Sequence, residues 1–146
     1  MNKMQAIISA ALVVSAGVGA AILKTDGYLW AASPSHAYGL VVFAVLDIGL
    51  AALAWKKIGL TLLGTILLGA TQFLAMVGDI LVGQPAGWPA GAWQHYLLGD
   101  SYFVALLGIQ LVIVAGGLFG LALRGSLNFP PMGTSTRKQE PALRRE

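Results

Sequence analysis

The sequence predicts an all-α integral membrane protein, with four transmembrane helices in an antiparallel up-down bundle and both termini in the cytoplasm. Three observations support this prediction. The 146 residues are 57% hydrophobic and only 10% charged, whereas a soluble domain is about 25% charged. The apolar residues gather in four segments long enough to cross a bilayer core about 30 Å thick. In this topology, eight of the nine Lys and Arg residues lie on the cytoplasmic side.

The four apolar segments form one predicted transmembrane domain over residues 1–123. Each segment is close to the roughly 20 residues that a membrane-spanning helix needs. The mean hydropathy of +0.76 agrees with lipid as the main surrounding solvent. The predicted helices cover residues 5–23, 38–55, 58–82 and 101–123.

The first segment could instead be a cleaved signal peptide. It follows the basic residue Lys3 and ends among small residues near Gly19. Its apolar run is longer than the 7–15 residues of a typical signal-peptide core. We therefore interpret it as a retained helix.

The connections between the segments differ in length. About two residues separate the second and third helices, which predicts a tight hairpin and antiparallel neighbours. The third connection, "GQPAGWPAGAWQHYLLGD", is longer and rich in Gly, Pro and aromatic residues. We predict a short helix in its second half, lying in the membrane interface and burying Trp93, Tyr96 and Leu97.

Charge sets the orientation, because cytoplasmic loops carry an excess of Lys and Arg. The first connection contains only Lys24 and the third contains neither residue type. Residues 124–146 are predicted to form a basic, disordered cytoplasmic tail. We expect a multi-pass protein of the cell membrane that contacts the lipid bilayer and no nucleic acid. The eight cytoplasmic basic residues are Lys3, Lys56, Lys57, Arg124, Arg137, Lys138, Arg144 and Arg145.

Small residues at four-residue spacing predict close helix contacts, because helices in lipid associate through tight backbone packing. The first helix carries Ala11, Ser15 and Gly19, and the fourth carries Gly116 and Gly120. The partner of these faces is either another helix of this chain or another subunit.

Polar residues of the third helix fall on one stripe. Thr61, Thr65, Gln72 and Asp79 lie within about 40° of one another at 100° per residue, and Thr71 lies elsewhere. Such a stripe is expected to face the bundle interior or a partner protein.

Three polar residues from three helices share one predicted depth. Asp47, Gln72 and Gln110 each lie about 14–15 Å below the outer surface at 1.5 Å per residue. We predict an intramembrane polar cluster of these three, with Asp79 above them. Asp47 can serve as a hydrogen-bonding group between helices, handle a proton or ion, or contact another subunit, because intramembrane carboxylates commonly have such roles.

An outer vestibule is predicted above this cluster, formed by His36, His95, Asp79 and Asp100. His36 precedes Asp47 by eleven residues, so the two align if the helix extends that far. The histidines are either ordinary interfacial residues or ligands of a haem or metal.

The sequence contains no phosphate-binding glycine loop, no His-Glu-x-x-His and no nucleophile elbow. The absence of cysteine excludes disulfides and thiolate metal sites. We therefore predict no enzyme acting on its own, no metal site and no cofactor.

The leading functional hypothesis is a non-catalytic accessory subunit of a larger membrane complex, such as a respiratory or oxidoreductase assembly. The partners would be other membrane subunits or further copies of the chain. The alternative is a small oligomeric transporter of protons, ions or solutes that uses Asp47. A third hypothesis is a haem- or metal-binding membrane protein that uses His36 and His95.

Overall fold

The computed structural model describes residues 3–56 and 61–128. These residues are 89% helical and contain no strand. Within these ranges the chain forms six helices. They are α1 (Lys3–Thr25), α2 (Gly27–Ala32), α3 (Pro34–Trp55), α4 (Thr61–Val82), α5 (Ala92–Gly99) and α6 (Ser101–Asn128).

Four of these helices, α1, α3, α4 and α6, are long and apolar enough to cross a membrane. The four predicted long helices are therefore confirmed. Helix α3 begins at Pro34, four residues earlier than predicted, because proline fits the first turn of a helix. Helix α6 continues to Asn128, past the predicted end at 123. The predicted hairpin around 57–60 and the rest of the predicted tail, 129–146, lie outside the described residues.

The four long helices surround a common centre. Helix α1 packs against α3 and α6, and α4 packs against α6 and α3. The diagonal pairs, α1 with α4 and α3 with α6, make no close backbone contact within the described ranges. Of the four neighbouring pairs, α3 and α4 pack together least closely. Space is therefore left between α3 and α4.

One end of the bundle is covered by the two short helices, and we refer to it as the capped end. Asp26 begins α2, since its Oδ1 accepts hydrogen bonds from the backbone N–H groups of Tyr28 and Leu29 at 3.1 and 3.0 Å. The sequence analysis did not predict α2. The predicted short helix in the third connection is confirmed as α5. However, its Trp93 and Leu97 are buried in a core cluster with residues of the long helices.

The polar stripe of the third predicted helix faces the bundle interior, as its spacing indicates. Thr61, Thr65 and Gln72 are buried, and Asp79 is partly buried. Thr71 is exposed and donates a hydrogen bond to the carbonyl of Leu67 in its own helix at 2.8 Å.

The small residues of α1 and α6 occupy different surroundings. Ser15 and Gly19 are buried, and Ala11 packs against a core cluster of Ile8, Leu12, Ala51 and Ile113. Gly120 is buried, whereas Gly116 has open space where a Cβ atom would lie. An added Cβ at Gly19 likewise meets no atom within 4 Å.

Two other glycines lie in tight contact between α4 and α6. A Cβ atom on Gly117 would lie 2.5 Å from Cγ1 of Ile66, and one on Gly69 would lie 2.9 Å from Cγ2 of Ile113. Both distances are too short for a real contact, so these glycines allow the two helices to pack directly.

Alanine at Gly117 is therefore expected to destabilise the bundle. Gly117→Ala should lower the free energy of unfolding by about 1–3 kcal/mol, because the added methyl group forces α4 and α6 apart. Gly116→Ala is the matched control, since it gains the same helix propensity without a clash. Thermal unfolding in detergent, followed by circular dichroism, measures both variants. Equal stability of the two variants would contradict the assigned α4–α6 contact.

Candidate functional site

Four buried polar side chains, one from each long helix, form a closed hydrogen-bonded ring at the bundle centre. We call Ser15, Asp47, Gln72 and Gln110 the polar ring. Ser15 Oγ donates to Asp47 Oδ2 at 2.5 Å, and Gln72 Nε2 donates to Asp47 Oδ1 at 2.9 Å. Gln110 Nε2 donates to Ser15 Oγ and to Gln72 Oε1, both at 2.7 Å. The four side chains are between 0 and 3% exposed.

The structure brings together the three residues that the sequence placed at one depth, Asp47, Gln72 and Gln110. Ser15 completes the ring, although the sequence analysis named it only as a helix-packing residue. A signal was present, because the small-residue stripe on the first helix already indicated that Ser15 faces another helix. Its hydroxyl group makes the same face a hydrogen-bonding one.

The hydrogen bonds of the ring converge on Asp47. Each carboxylate oxygen accepts one hydrogen, from Ser15 or from Gln72, so the arrangement suits an ionised carboxylate. The ring also accommodates a protonated carboxyl group. In that state the protonated carboxyl group of Asp47 donates a hydrogen bond to Ser15 Oγ. The hydroxyl hydrogen of Ser15 can then be donated to a backbone carbonyl of its own helix. Thr65 makes a bond of this kind, since its Oγ1 donates to the carbonyl of Thr61 at 2.8 Å. The ring can therefore hold Asp47 in either protonation state.

Asp79 lies nearer the capped end than the ring. It is seven residues beyond Gln72 on α4, or about 10 Å along the helix. Its Oδ1 accepts a hydrogen bond from His36 Nε2 at 2.8 Å. Ser33 Oγ is bonded to His36 Nδ1. In this arrangement the imidazole can accept a hydrogen bond from Ser33 and donate one to Asp79.

A cavity of about 260 Å³ lies between the polar ring and the capped end. We call it the capped-end cavity. Gln72 belongs both to the lining of this cavity and to the polar ring. The other polar lining groups come from the capped end or from the turns of α3 and α4 nearest to it. They are Asp26, Ser35, His36, Asp79, Tyr96 and Asp100.

Apolar side chains supply most of the remaining wall. They come from all four long helices and from both short ones. The apolar lining consists of Ile22, Leu29, Leu40, Phe43, Ala75, Met76, Trp93, Leu97, Phe103 and Leu106, with Gly39 beside them.

The structure brings three of the four predicted vestibule residues to this cavity. His36, Asp79 and Asp100 line it, whereas His95 is exposed on α5 and is not part of the lining. The two histidines therefore do not share this cavity. Across the described ranges, no group of three or more His, Cys, Asp or Glu side chains is gathered around one point.

Aromatic side chains close the capped end. Trp93 and Tyr96 stack with their ring centroids 5.3 Å apart, and Trp88 contacts both rings edge-on at 5.2 and 5.5 Å. Trp93 is fully buried, and its Nε1 has no hydrogen-bond partner among the described residues. Trp93 and Tyr96 were predicted to lie on a short helix in the membrane interface. Here they pack against each other and against the bundle end.

Tyr96 ties α5 to the start of α2. Its hydroxyl donates a hydrogen bond to Asp26 Oδ2, while Oδ1 of Asp26 caps α2. Burial, together with the hydrogen bond and the negative charge of Asp26, raises the pKa of Tyr96 above its usual value. The phenol therefore remains a neutral donor, and it keeps α5 attached over the cavity.

The fold and its cavity define a small all-helical protein with four candidate membrane-spanning helices, which suggests a membrane protein. Comparison with known proteins finds no matching family model, no matching curated protein and no matching solved structure. Function must therefore be inferred from the residues of this chain.

Removal of one ring member is expected to destabilise the bundle. Gln110→Leu deletes the two hydrogen bonds that Gln110 donates and should lower the free energy of unfolding by about 1–3 kcal/mol, because buried polar contacts in membrane proteins contribute about 0.6–1.7 kcal/mol each. Thr71→Val is the control, since Thr71 is exposed and bonds only to its own helix. Denaturant titration in micelles compares them, and an equally small effect of both variants would argue against a stabilising ring.

Proposed function

We propose that this chain is a membrane protein that binds a small, largely apolar molecule in the capped-end cavity. The observation that carries this proposal is the distribution of groups on the cavity wall. Apolar side chains cover most of the wall, and polar groups are concentrated at the capped end, with Gln72 at the inner end. Binding sites for small molecules commonly combine an apolar wall with a few placed polar groups.

The size of the cavity limits what it can hold. At about 260 Å³ it is larger than the roughly 150 Å³ cavity that accommodates benzene. His36 and Phe43 both line the cavity and are seven residues apart on α3, which corresponds to a depth of about 10 Å. The expected ligand therefore has a short apolar body and one polar group at the capped end.

We place the capped end at the outer face of the cell membrane and both termini in the cytoplasm. This orientation is supported by the distribution of Lys and Arg, since Lys24 in the last turn of α1 is the one such residue near the capped end, and the two connections there contain none. A ligand dissolved in the outer leaflet would then have its polar group at the depth of His36 and Asp79.

In this proposal the chain acts as a non-catalytic accessory subunit, which presents or retains the ligand for a larger membrane complex. The small size of the chain and its lack of a catalytic motif support this role. Co-purification in a mild detergent would identify the other subunits.

A second candidate function is transport of protons or ions through Asp47. It is favoured by one contact, because Gln72 lines the capped-end cavity and also donates to Asp47. A single hydrogen bond, from Gln72 to Asp47, thus connects the inner end of the cavity with a buried carboxyl group. On the other side of the ring, the core cluster of Ile8, Leu12, Ala51 and Ile113 would have to open for passage.

Filling the cavity is expected to abolish ligand binding. Gly39 lines the cavity and has open space at its Cβ position, so Gly39→Leu should occupy the site without straining α3. Gly49→Leu is the matched control, because Gly49 is on the same helix, also has open space and is not part of the lining. Native mass spectrometry with 1-octanol should detect one bound molecule per wild-type chain and per Gly49→Leu chain.

Loss of bound 1-octanol in Gly39→Leu alone would support the cavity as the binding site. Equal binding by Gly39→Leu and the wild type would contradict the proposal, as would failure of the wild type to bind 1-octanol or any other octyl compound.

Transport through Asp47 predicts a specific loss of flux. Asp47→Asn keeps groups that can accept from Gln72 and donate to Ser15, but it cannot bind and release a proton. Proton flux into liposomes, measured with an internal pH-sensitive dye, should fall to the level of protein-free liposomes, while Thr71→Val retains it. Unchanged flux in Asp47→Asn, or no flux in the wild type, would exclude this function.

A further inference from the structure

We infer that the molecule bound in the capped-end cavity carries a cationic head group, such as an amine or a quaternary ammonium. This inference rests on the proposed function, since it specifies the ligand of the same cavity. Three carboxylates, those of Asp26, Asp79 and Asp100, line the cavity, and among the described residues no Lys or Arg does so. The chain contains four aspartates, and the remaining one, Asp47, bonds to the lining residue Gln72.

The negative charge of these carboxylates is largely uncompensated within the cavity. Asp26 accepts hydrogen bonds from two backbone N–H groups and from Tyr96, all of which are neutral donors. Asp100 accepts from the backbone N–H of Tyr102 at 2.8 Å, another neutral donor. Such hydrogen bonds stabilise a carboxylate without cancelling its charge.

His36 is the one lining side chain that can become cationic, and it contacts Asp79 alone among the three carboxylates. Even with His36 protonated, two negative charges remain on the lining. An anionic head group would be repelled there, and a neutral one would gain at most a hydrogen bond to a carboxylate. A cation is attracted by all three carboxylates.

The aromatic wall supports the same head group. The ring centroid of Trp93 lies 5.6 Å from that of His36, and His36 is hydrogen-bonded to Asp79. The hydroxyl of Tyr96 donates a hydrogen bond to Asp26. Aromatic rings and carboxylates are therefore neighbours on one wall. Organic cations bind beside aromatic rings through cation–π attraction, which a neutral or anionic head group lacks.

The apolar part of the cavity favours an organic cation over a metal ion. Below the carboxylates the wall is formed by side chains such as Phe43, Met76 and Leu106. A metal ion would leave this space unfilled and would require several converging ligands. In the described part of the chain, no such group of three His, Cys, Asp or Glu side chains exists. An alkyl chain below a cationic head group matches both regions.

The experiment compares octyl compounds that differ only in head group. Octyltrimethylammonium, octylamine, 1-octanol and octyl sulfate are titrated separately into the full-length protein in nanodiscs at about pH 7, where the amine is charged. Native mass spectrometry and isothermal titration calorimetry measure binding. The two cations are expected to bind at least about tenfold more tightly than 1-octanol, and octyl sulfate most weakly.

Asp100→Asn tests whether the carboxylates select the cation. Asparagine retains an oxygen that can accept from Tyr102, so the start of α6 is preserved while one negative charge is removed. The variant should bind octyltrimethylammonium several-fold more weakly and 1-octanol with unchanged affinity. Thr71→Val is the control, because Thr71 is exposed, bonds only to its own helix and does not line the cavity. Added salt should weaken cation binding in the wild type, whereas 1-octanol binding should not change.

The outcomes separate the two proposals. Equal binding of 1-octanol and the cations would overturn the cationic head group and leave the proposed binding function standing. Tighter binding of octyl sulfate than of 1-octanol would also overturn it. Binding of none of the four compounds would overturn the proposed function itself.

Discussion

The arrangement of this bundle depends on the need to hydrogen-bond a carboxyl group at its centre. In a membrane, apolar side chains would gain little by leaving lipid for another helix, so they would not fix one helix against another. Asp47 does fix the helices against one another, because a buried carboxyl group without hydrogen-bond partners costs several kcal/mol of free energy. Its donors come from α1 and α4, and Gln110 of α6 bonds to both of these donors. All four long helices must therefore meet at one depth.

The helix pairs are held together in different ways around this ring. Helices α4 and α6 pack closely at Gly69 and Gly117, where the side chains of Ile113 and Ile66 lie against the glycine backbone of the facing helix. Helices α3 and α4 are instead joined by side chains, at Asp47 with Gln72 and again at His36 with Asp79. Two such links at separate levels hold the helices while leaving space between them. These two helices contribute half of the residues that line the cavity.

The sequence predicted the long helices and most of the ring for a definite physical reason. A helix rises by a fixed 1.5 Å per residue, so counting inward from the predicted ends placed Asp47, Gln72 and Gln110 at one depth. Ser15 was overlooked as a ring member, because a small residue in a small-residue stripe suggests packing alone. The predicted vestibule anticipated the polar part of the cavity, but its aromatic wall and α2 could not be predicted, since aromatic residues such as Trp93 suit a lipid interface and a protein core equally well. Which surrounding they take depends on how α5 folds back onto the bundle end.

Gln72 connects the two parts of the molecule that bear on function. Its Nε2 and Oε1 complete the ring, and its side chain also lines the capped-end cavity. Movement of this amide toward a molecule in the cavity would remove one donor from Asp47, and protonation of Asp47 would weaken its bond to the same amide. Coupling between two sites is reciprocal, because each alters the binding free energy of the other by the same amount. If a ligand binds there as proposed, occupancy of the cavity and the protonation state of Asp47 are linked through a single side chain, so the two proposed functions, ligand binding and proton handling, need not be separate.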